Sequence, residues 1–334
     1  MKASTIRFHE VGSPSVLRYE SLDVPAPCDG EILVRIEAIG LNRAEAAFRS
    51  GQYLEAPVMP ARIGYEASGI VEALGSGVTE LRVGDEVCIL PTFSMNQYGV
   101  YAERAIVPAK AVFSRPAHLS ALESASIWMQ YLTAYGGLIE VGGLGAGDAV
   151  LISAASSSVG IGAIQIANMV GAVAIAVTRT QAKKAELQSL GARHVVTLDS
   201  SDLIAEVKRI TGGRGVRLAF DPVGGPWVGK LAQTVAFNGQ IVLYGNLSGH
   251  AFQTIFPFAV SASKAVSMRA YLVFETIADP LRFSRARTFI EGGLREGALR
   301  PKIARVFAFS DMVDAHTYLE RNEHVGKIVV SGTA

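Results

Sequence analysis

A chain of 334 residues that is 49% hydrophobic is longer than one core normally organises, so two domains are expected. Its formal net charge of +1, without any block of like charges, points away from nucleic acid or an anionic membrane surface as a partner. Only Cys28 and Cys88 are present, in neither a disulfide framework nor a zinc-ligand spacing, and no two histidines stand at a metal-site spacing, so no metal is expected.

The N-terminal stretch Met1 to Pro14 has no apolar signal-peptide core, and no apolar run approaches the roughly eighteen residues that span a bilayer, so a soluble, cytoplasmic protein with no membrane partner is expected. Short alternating strands and glycine turns follow, at Glu31 to Ala38, Ala67 to Leu74 and Glu86 to Leu90, the pattern of a β-barrel-like domain. From about Leu122 strands alternate with helices. The order is a strand at Ala149 to Ser153, a helix near Val159 to Val170, a strand at Val173 to Val177, a helix near Gln181 to Leu190 and a strand at His194 to Thr197. A helix near Leu203 to Ile210, a strand at Arg217 to Phe220, a helix around Val228 to Phe237 and a strand at Ile241 to Tyr244 complete it. That is an α/β fold with a doubly wound parallel sheet. Gly171, Gly191, Gly212 and Gly239 are expected to stop helices in the left-handed conformation. After Val266 the regularity fades; the tail holds a strand at Ile303 to Phe309, a helix near Met312 to Arg321 and a strand at Gly326 to Val330, and is expected to rejoin the N-terminal domain.

Ala149 to Thr180 carries the most chemistry: an apolar strand, a run of small residues, an amphipathic helix and a second strand within about thirty residues, the βαβ unit of dinucleotide binding. Its turn must let a pyrophosphate approach backbone N–H groups at a helix N-terminus, so small side chains are needed there. Against G-x-G-x-x-G the aligned positions are Ala155, Ser157 and Gly160, and the expected contacts are Ser156, Ser157, Ser158, Val159 and Gly160. The second strand runs into Thr178, Arg179 and Thr180 instead of Asp or Glu, with Lys183 one turn beyond. A hydroxyl and two cations suit a ribose 2′-phosphate, with no carboxylate to repel it, so NADPH is expected over NADH. The competing reading makes Arg179 and Lys183 solvated surface charges.

Several separated motifs together resemble one family, the medium-chain dehydrogenase/reductases, and within it the zinc-free quinone oxidoreductase and enoyl reductase-like branch. They are Gly40-Leu41-Asn42, Arg49-Ser50-Gly51-Gln52-Tyr53, Gly64-Tyr65-Glu66-Ala67-Ser68-Gly69, Val83-Gly84-Asp85-Glu86-Val87, Leu132-Thr133-Ala134-Tyr135, the cofactor turn and Val325-Gly326-Lys327-Ile328-Val329. The resemblance spans the chain. It implies a GroES-like barrel domain (1–122 and 268–334), a Rossmann domain (123–267) and a homodimer. Zinc-dependent members carry cysteine at the position of Asn42, histidine at that of Tyr65 and cysteine near Met129 or Gln130; none of these ligands is present, and Pro91 to Val107 contains no cysteine of a structural zinc lobe.

Without a Lewis acid, the resemblance implies hydride transfer from NADPH to a conjugated acceptor: a quinone, an enone or enal, or an enoyl thioester. Alternatives are a zinc-free aldehyde or ketone reductase, or a non-catalytic NADPH-binding structural or redox-sensing protein. Tyr53 resembles a tyrosine that enoyl thioester reductases place beside the substrate, as proton donor or oxyanion partner, or else it is an aromatic wall. Asn42 resembles an asparagine that bonds the ribose or the substrate oxygen near the nicotinamide, or else it serves a turn. Thr133, Val223, Gly224, Gly245, Asn246 and Leu247 are implied at the nicotinamide end. Tyr271, Leu272 and Phe274 line the substrate pocket or belong to the core. In place of a tyrosine found in many quinone reductases stands Ala47.

Overall fold

Strand β1 (Lys2–Arg7) pairs antiparallel with β2 (Arg18–Asp23) as a separate ribbon in the computed structural model, which describes residues 1–332. Residues 333 and 334 of the expected 268–334 segment lie outside the described residues. By its contacts the chain forms two compact units, one comprising Met1–Met129 and the segment from Pro301, the other Gln130–Arg300.

In the first unit β3 (Glu31–Gly40) is the long central strand, followed by β4 (Glu66–Leu74), β5 (Glu86–Ile89), β6 (Arg104–Pro108) and β7 (Val112–Ser114). Ile32, Val34, Ile36 and Ala38 of β3 are buried at alternate positions, while Arg35 and Glu37 between them are only partly so, the period-two pattern of a strand with one face on the core.

The second unit carries β8 (Ala149–Ile152), β9 (Val173–Thr178), β10 (His194–Thr197), β11 (Val216–Asp221), β12 (Val235–Leu243) and β13 (Ser267–Ala270). Their spatial order is β10-β9-β8-β11-β12-β13, every pairing parallel. This is the Rossmann order, in which the winding reverses between β8 and β11 and opens a crevice at their carboxyl ends. The unit runs past the expected residue 267 to Arg300. The reason is that β13 adds to β12, Gln240 opposite Ser267, while the helix Pro280–Arg295 packs on the same body through Phe289 against Tyr135, ring centroids 5.0 Å apart.

One helix is shorter than expected. It covers Val228–Thr234, and Val235 already pairs with Val216 as the start of β12. Lys264 Nζ donates to the carbonyls of Gln233 (2.8 Å) and Val235 (3.1 Å), terminating the helix. Gly239 is therefore not a helix stop; Asn238 takes the left-handed turn (φ 57°), and a Cβ on Gly239 would stand 2.4 Å from Val235 Cγ1. Gly171, Gly191 and Gly212 do carry positive φ.

The chain ends in the first unit with β14 (Ile303–Ala308), the helix Met312–Arg321 and β15 (Lys327–Ser331). β15 joins β3 antiparallel and completes a seven-stranded sheet, β14-β15-β3-β4-β5-β7 with β6 on β3. Among the described residues no helix is long and apolar enough to cross a membrane.

Candidate functional site

The turn after β8 is tied down across three strand ends. Ser153 N–H donates to Phe220 O of β11 (3.1 Å) and Ala155 N–H to Val177 O of β9 (3.1 Å), while Ala154 adopts φ 47°. Ser157, extended at φ −70° and ψ 161°, caps the helix Ser158–Met169, its Oγ accepting the Gly160 N–H at 3.0 Å. A Cβ at Gly160 would lie 2.7 Å from both Cα and O of Ala155, so only glycine lets the helix start this close to the turn. Helix geometry leaves first-turn N–H groups such as those of Ser158 and Val159 without an intrahelical acceptor at the positive end of the dipole. The residues present therefore fit a dinucleotide pyrophosphate.

At the end of β9, Thr178 is buried and Arg179 exposed. Lys183, in the short 3-10 turn that follows, donates from Nζ to Ser156 Oγ (3.1 Å), which joins the pyrophosphate turn to the expected phosphate-binding cations. One expectation needs correction: a carboxylate is nearby. Asp199 accepts the Gln181 N–H (3.1 Å), and its own N–H donates to Arg179 O (3.1 Å). Thr197 lies opposite Thr178 in the parallel pair β9–β10, which carries the residues after both strands to the same edge.

At the crevice, the Val223 and Gly224 N–H groups donate to Asp221 Oδ2 at 3.0 and 2.7 Å. Asp221 is fully buried, and burial pushes its carboxyl upward against these bonds. Leu247 N–H donates to Pro222 O (2.8 Å), and a Cβ on Gly245 would come within 3.0 Å of that oxygen, so the loops bearing Val223 and Gly245-Asn246-Leu247 form one edge. Asp221, with Trp227 Nε1 donating to Ser153 Oγ (3.3 Å) beside it, is a shaping residue that sequence reasoning passed over; an acidic residue ending a buried strand was the available signal. Thr133 is buried on the helix Trp128–Tyr135. Phe274 is half-buried on the helix Val273–Ala278. Tyr271 is 1% exposed, its hydroxyl donating to Leu132 O (3.2 Å) and bonded to Thr276 Oγ1 (2.8 Å), so of its two readings the buried-core one is what the packing supports.

In the first unit Asn42 caps the helix Arg43–Arg49, and its N–H donates to Glu45 Oε2 (2.9 Å). Its side-chain amide is engaged at both ends: Nδ2 donates to Gly40 O (3.1 Å), and Oδ1 accepts from Lys327 Nζ (2.5 Å). Lys327 also donates to Glu66 Oε2 (2.6 Å), while Glu66 Oε1 accepts the Met129 N–H (2.9 Å) and Glu45 Oε1 the Tyr65 N–H (3.1 Å). Glu45, Glu66 and Lys327 are each no more than 1% exposed. Burial raises the Glu45 carboxyl to about 7 against the pull of Lys327. Two carboxylates and one ammonium thus form a closed polar cluster beneath Asn42 and Tyr65.

Tyr53 follows that helix half-buried, its ring 6.3 Å from Phe48 and 6.2 Å from Tyr65, and its hydroxyl bonded to that of Tyr65. Burial pushes the Tyr53 phenol up to about 12, so at neutral pH it is a donor and not a base. Among the described residues no three His, Cys, Asp or Glu side chains cluster as metal ligands.

Residues 28–117 match the alcohol dehydrogenase GroES-like domain, and residues 158–290 the zinc-binding dehydrogenase family. The chain is 29% identical over 320 residues to the synaptic vesicle membrane protein VAT-1 homolog of Rattus norvegicus, spanning 92% of this chain and 78% of that one. Among solved structures, the Escherichia coli quinone oxidoreductase complexed with NADPH superimposes with a TM-score of 0.91 at 27% identity, covering 98% of this chain and 99% of that one. A mycobacterial protein complexed with NADPH gives a TM-score of 0.90 at 30% identity with the same coverage.

Proposed function

Since this chain belongs to the medium-chain dehydrogenase/reductase superfamily and is an NADPH-binding oxidoreductase, we propose that it works without zinc and that its acceptor is a conjugated system: a quinone, an enone or enal, or an enoyl thioester. The observation that carries the reading is the half-buried Tyr53, its ring 6.2 Å from that of Tyr65 and its hydroxyl bonded to the Tyr65 hydroxyl, Tyr65 standing where the resemblance puts a ligand in zinc-dependent members of the family. A conjugated acceptor needs hydride at its electrophilic carbon and stabilisation of the developing enolate or quinol oxygen, and a neutral phenol supplies the second of these without a metal. NADPH, when bound, supplies the hydride.

The chain's own groups do the rest. The turn Ser156-Ser157-Ser158-Val159-Gly160 holds the pyrophosphate, and Thr178, Arg179 and Lys183 hold the 2′-phosphate. Thr133, Val223, Gly245, Asn246 and Leu247 orient the nicotinamide, and Phe274 forms a pocket wall. Tyr53 donates a hydrogen bond, and then its proton, to the acceptor oxygen. Asn42 serves through its place in the buried cluster, since both ends of its amide are committed there. The same reading takes the protein as a cytoplasmic homodimer; in its support, β13 ends the six-stranded sheet, its outer edge unpaired among the described residues and three of its four residues exposed.

The test is a panel of quinones, enones, enals, enoyl thioesters, saturated aldehydes and ketones assayed by NADPH consumption. Turnover of conjugated acceptors with little on saturated carbonyls is the expected result. Turnover of saturated aldehydes alone refutes the reading in favour of a carbonyl reductase. Tight NADPH binding with no turnover of any acceptor refutes it in favour of a structural or redox-sensing protein.

A further inference from the structure

We infer that Tyr65 is a positioning residue: its buried hydroxyl donates to the Tyr53 oxygen, so that the proton of Tyr53 is left to point at the acceptor. The inference rests on the reading of Tyr53 as proton donor. Tyr65 is held from several sides at once. It follows Gly64, whose φ of +107° is a conformation that side chains rarely adopt and where a Cβ would stand 2.3 Å from Tyr101 Cδ1. Its N–H is fixed to Glu45 Oε1 at 3.1 Å, and its ring is packed between Tyr53 (6.2 Å) and Phe93 (5.8 Å). Glu45 is fixed in turn by Asn42 N–H, and Asn42 by Lys327. A ring so held has few rotamers left, which is what a positioning group requires.

The direction of the hydroxyl–hydroxyl bond follows from burial. Tyr65 is 2% exposed, so its O–H must donate within the protein, whereas Tyr53 is only half-buried and keeps an outward side. The shared bond lowers the Tyr53 phenol and raises that of Tyr65, as it must if Tyr65 gives the proton and Tyr53 receives it. Donation to the Tyr53 oxygen has two consequences. It fixes the rotation of the Tyr53 O–H away from Tyr65, and it stabilises the phenolate that forms as Tyr53 gives up its proton. No residue is consumed: the proton lost by Tyr53 goes to the reduced acceptor and is replaced from water.

The test is a cycle of Tyr53→Phe, Tyr65→Phe and the double variant, each keeping its ring. Turnover of a conjugated acceptor, NADPH affinity by fluorescence titration and the ¹³Cζ resonance of Tyr53 in tyrosine-labelled protein are measured. Tyr53→Phe is expected to lower kcat about 100-fold, within the range of general acid catalysis. Tyr65→Phe is expected to lower it roughly tenfold, the worth of one good hydrogen bond, with NADPH affinity unchanged and the Tyr53 resonance moved. In the Tyr53→Phe background Tyr65→Phe should do nothing further. An equal tenfold loss in both backgrounds, or an unmoved Tyr53 resonance, overturns the inference whatever the activity. Wild-type turnover in Tyr53→Phe is a different pattern: it refutes Tyr53 as donor and removes the positioning role with it, even where the resonance still moves.

Discussion

Replacing Lys327 with Met keeps the unbranched stem and removes only the ammonium that Asn42 and Glu66 share. In the native chain Nζ lies 2.5 Å from Asn42 Oδ1 and 2.6 Å from Glu66 Oε2, with lysine and glutamate both at most 1% exposed. Losing one partner of such a buried pair leaves a charge that water cannot reach, which costs about 3–5 kcal/mol. The loss should depend on pH in a stated direction. Burial raises Glu45 from 4.5 to about 7, so the stability this group contributes is complete below pH 4.5 and is lost as pH climbs through 7, about 3 kcal/mol in all. Lys327 is the charge that holds Glu45 down, so without it the carboxyl moves higher and the window of loss extends upward. Lys327→Met is thus expected to cost more at pH 8 than at pH 5.5. Urea unfolding at the two values measures this, read by fluorescence, with Trp128 reporting on the first unit and Trp227 on the second. A cost under 1 kcal/mol at pH 8, or a larger cost at pH 5.5, would refute the account of the cluster.

Three further outcomes are expected. Arg179→Ala should weaken NADPH binding by about 1–3 kcal/mol, the range of a charge-assisted hydrogen bond, and leave NADH nearly unchanged in parallel calorimetric titrations; an equal loss for both would show that Arg179 does not select the phosphate. Gly160→Ala forces a Cβ into backbone 2.7 Å away, so NADPH affinity and the thermal midpoint should fall together, at a stability cost of about 1–3 kcal/mol; a variant with wild-type affinity would show that the turn tolerates displacement. Ser157→Ala deletes the helix cap and should cost about 1 kcal/mol by denaturant titration, and no measurable change would mean that the 3.0 Å bond to Gly160 is not what holds the helix start.

The second unit was legible from sequence because its signals are local. Apolar runs and helical periodicity locate β8 to β12 and the helices between them, with His194–Thr197 and Leu203–Ile210 matching residue for residue. The small residues from Ala154 to Gly160 also announce the cofactor turn, since a backbone that must approach a pyrophosphate excludes bulk at known spacings. The helix end at Thr234 was not legible: Val235 to Phe237 continue an apolar pattern that suits either element, and it is the pairing with Val216 and the reach of Lys264 that decide.

What the amino-acid order determined by itself is therefore the βαβ alternation, the family motifs and the residue types around the cofactor, all of which depend on neighbours within a few turns. Only the tertiary structure decided which polar groups are committed. Lys327 stands 285 positions from Asn42 and meets it because β15 adds to β3; Tyr65 reaches Tyr53 across the bend at Gly64; Asp199 arrives beside Arg179 because two parallel strands end together. Whether a carboxylate, amide or phenol is spent on the fold or left for chemistry depends on the burial and partners that long-range pairing supplies, and no local pattern encodes those.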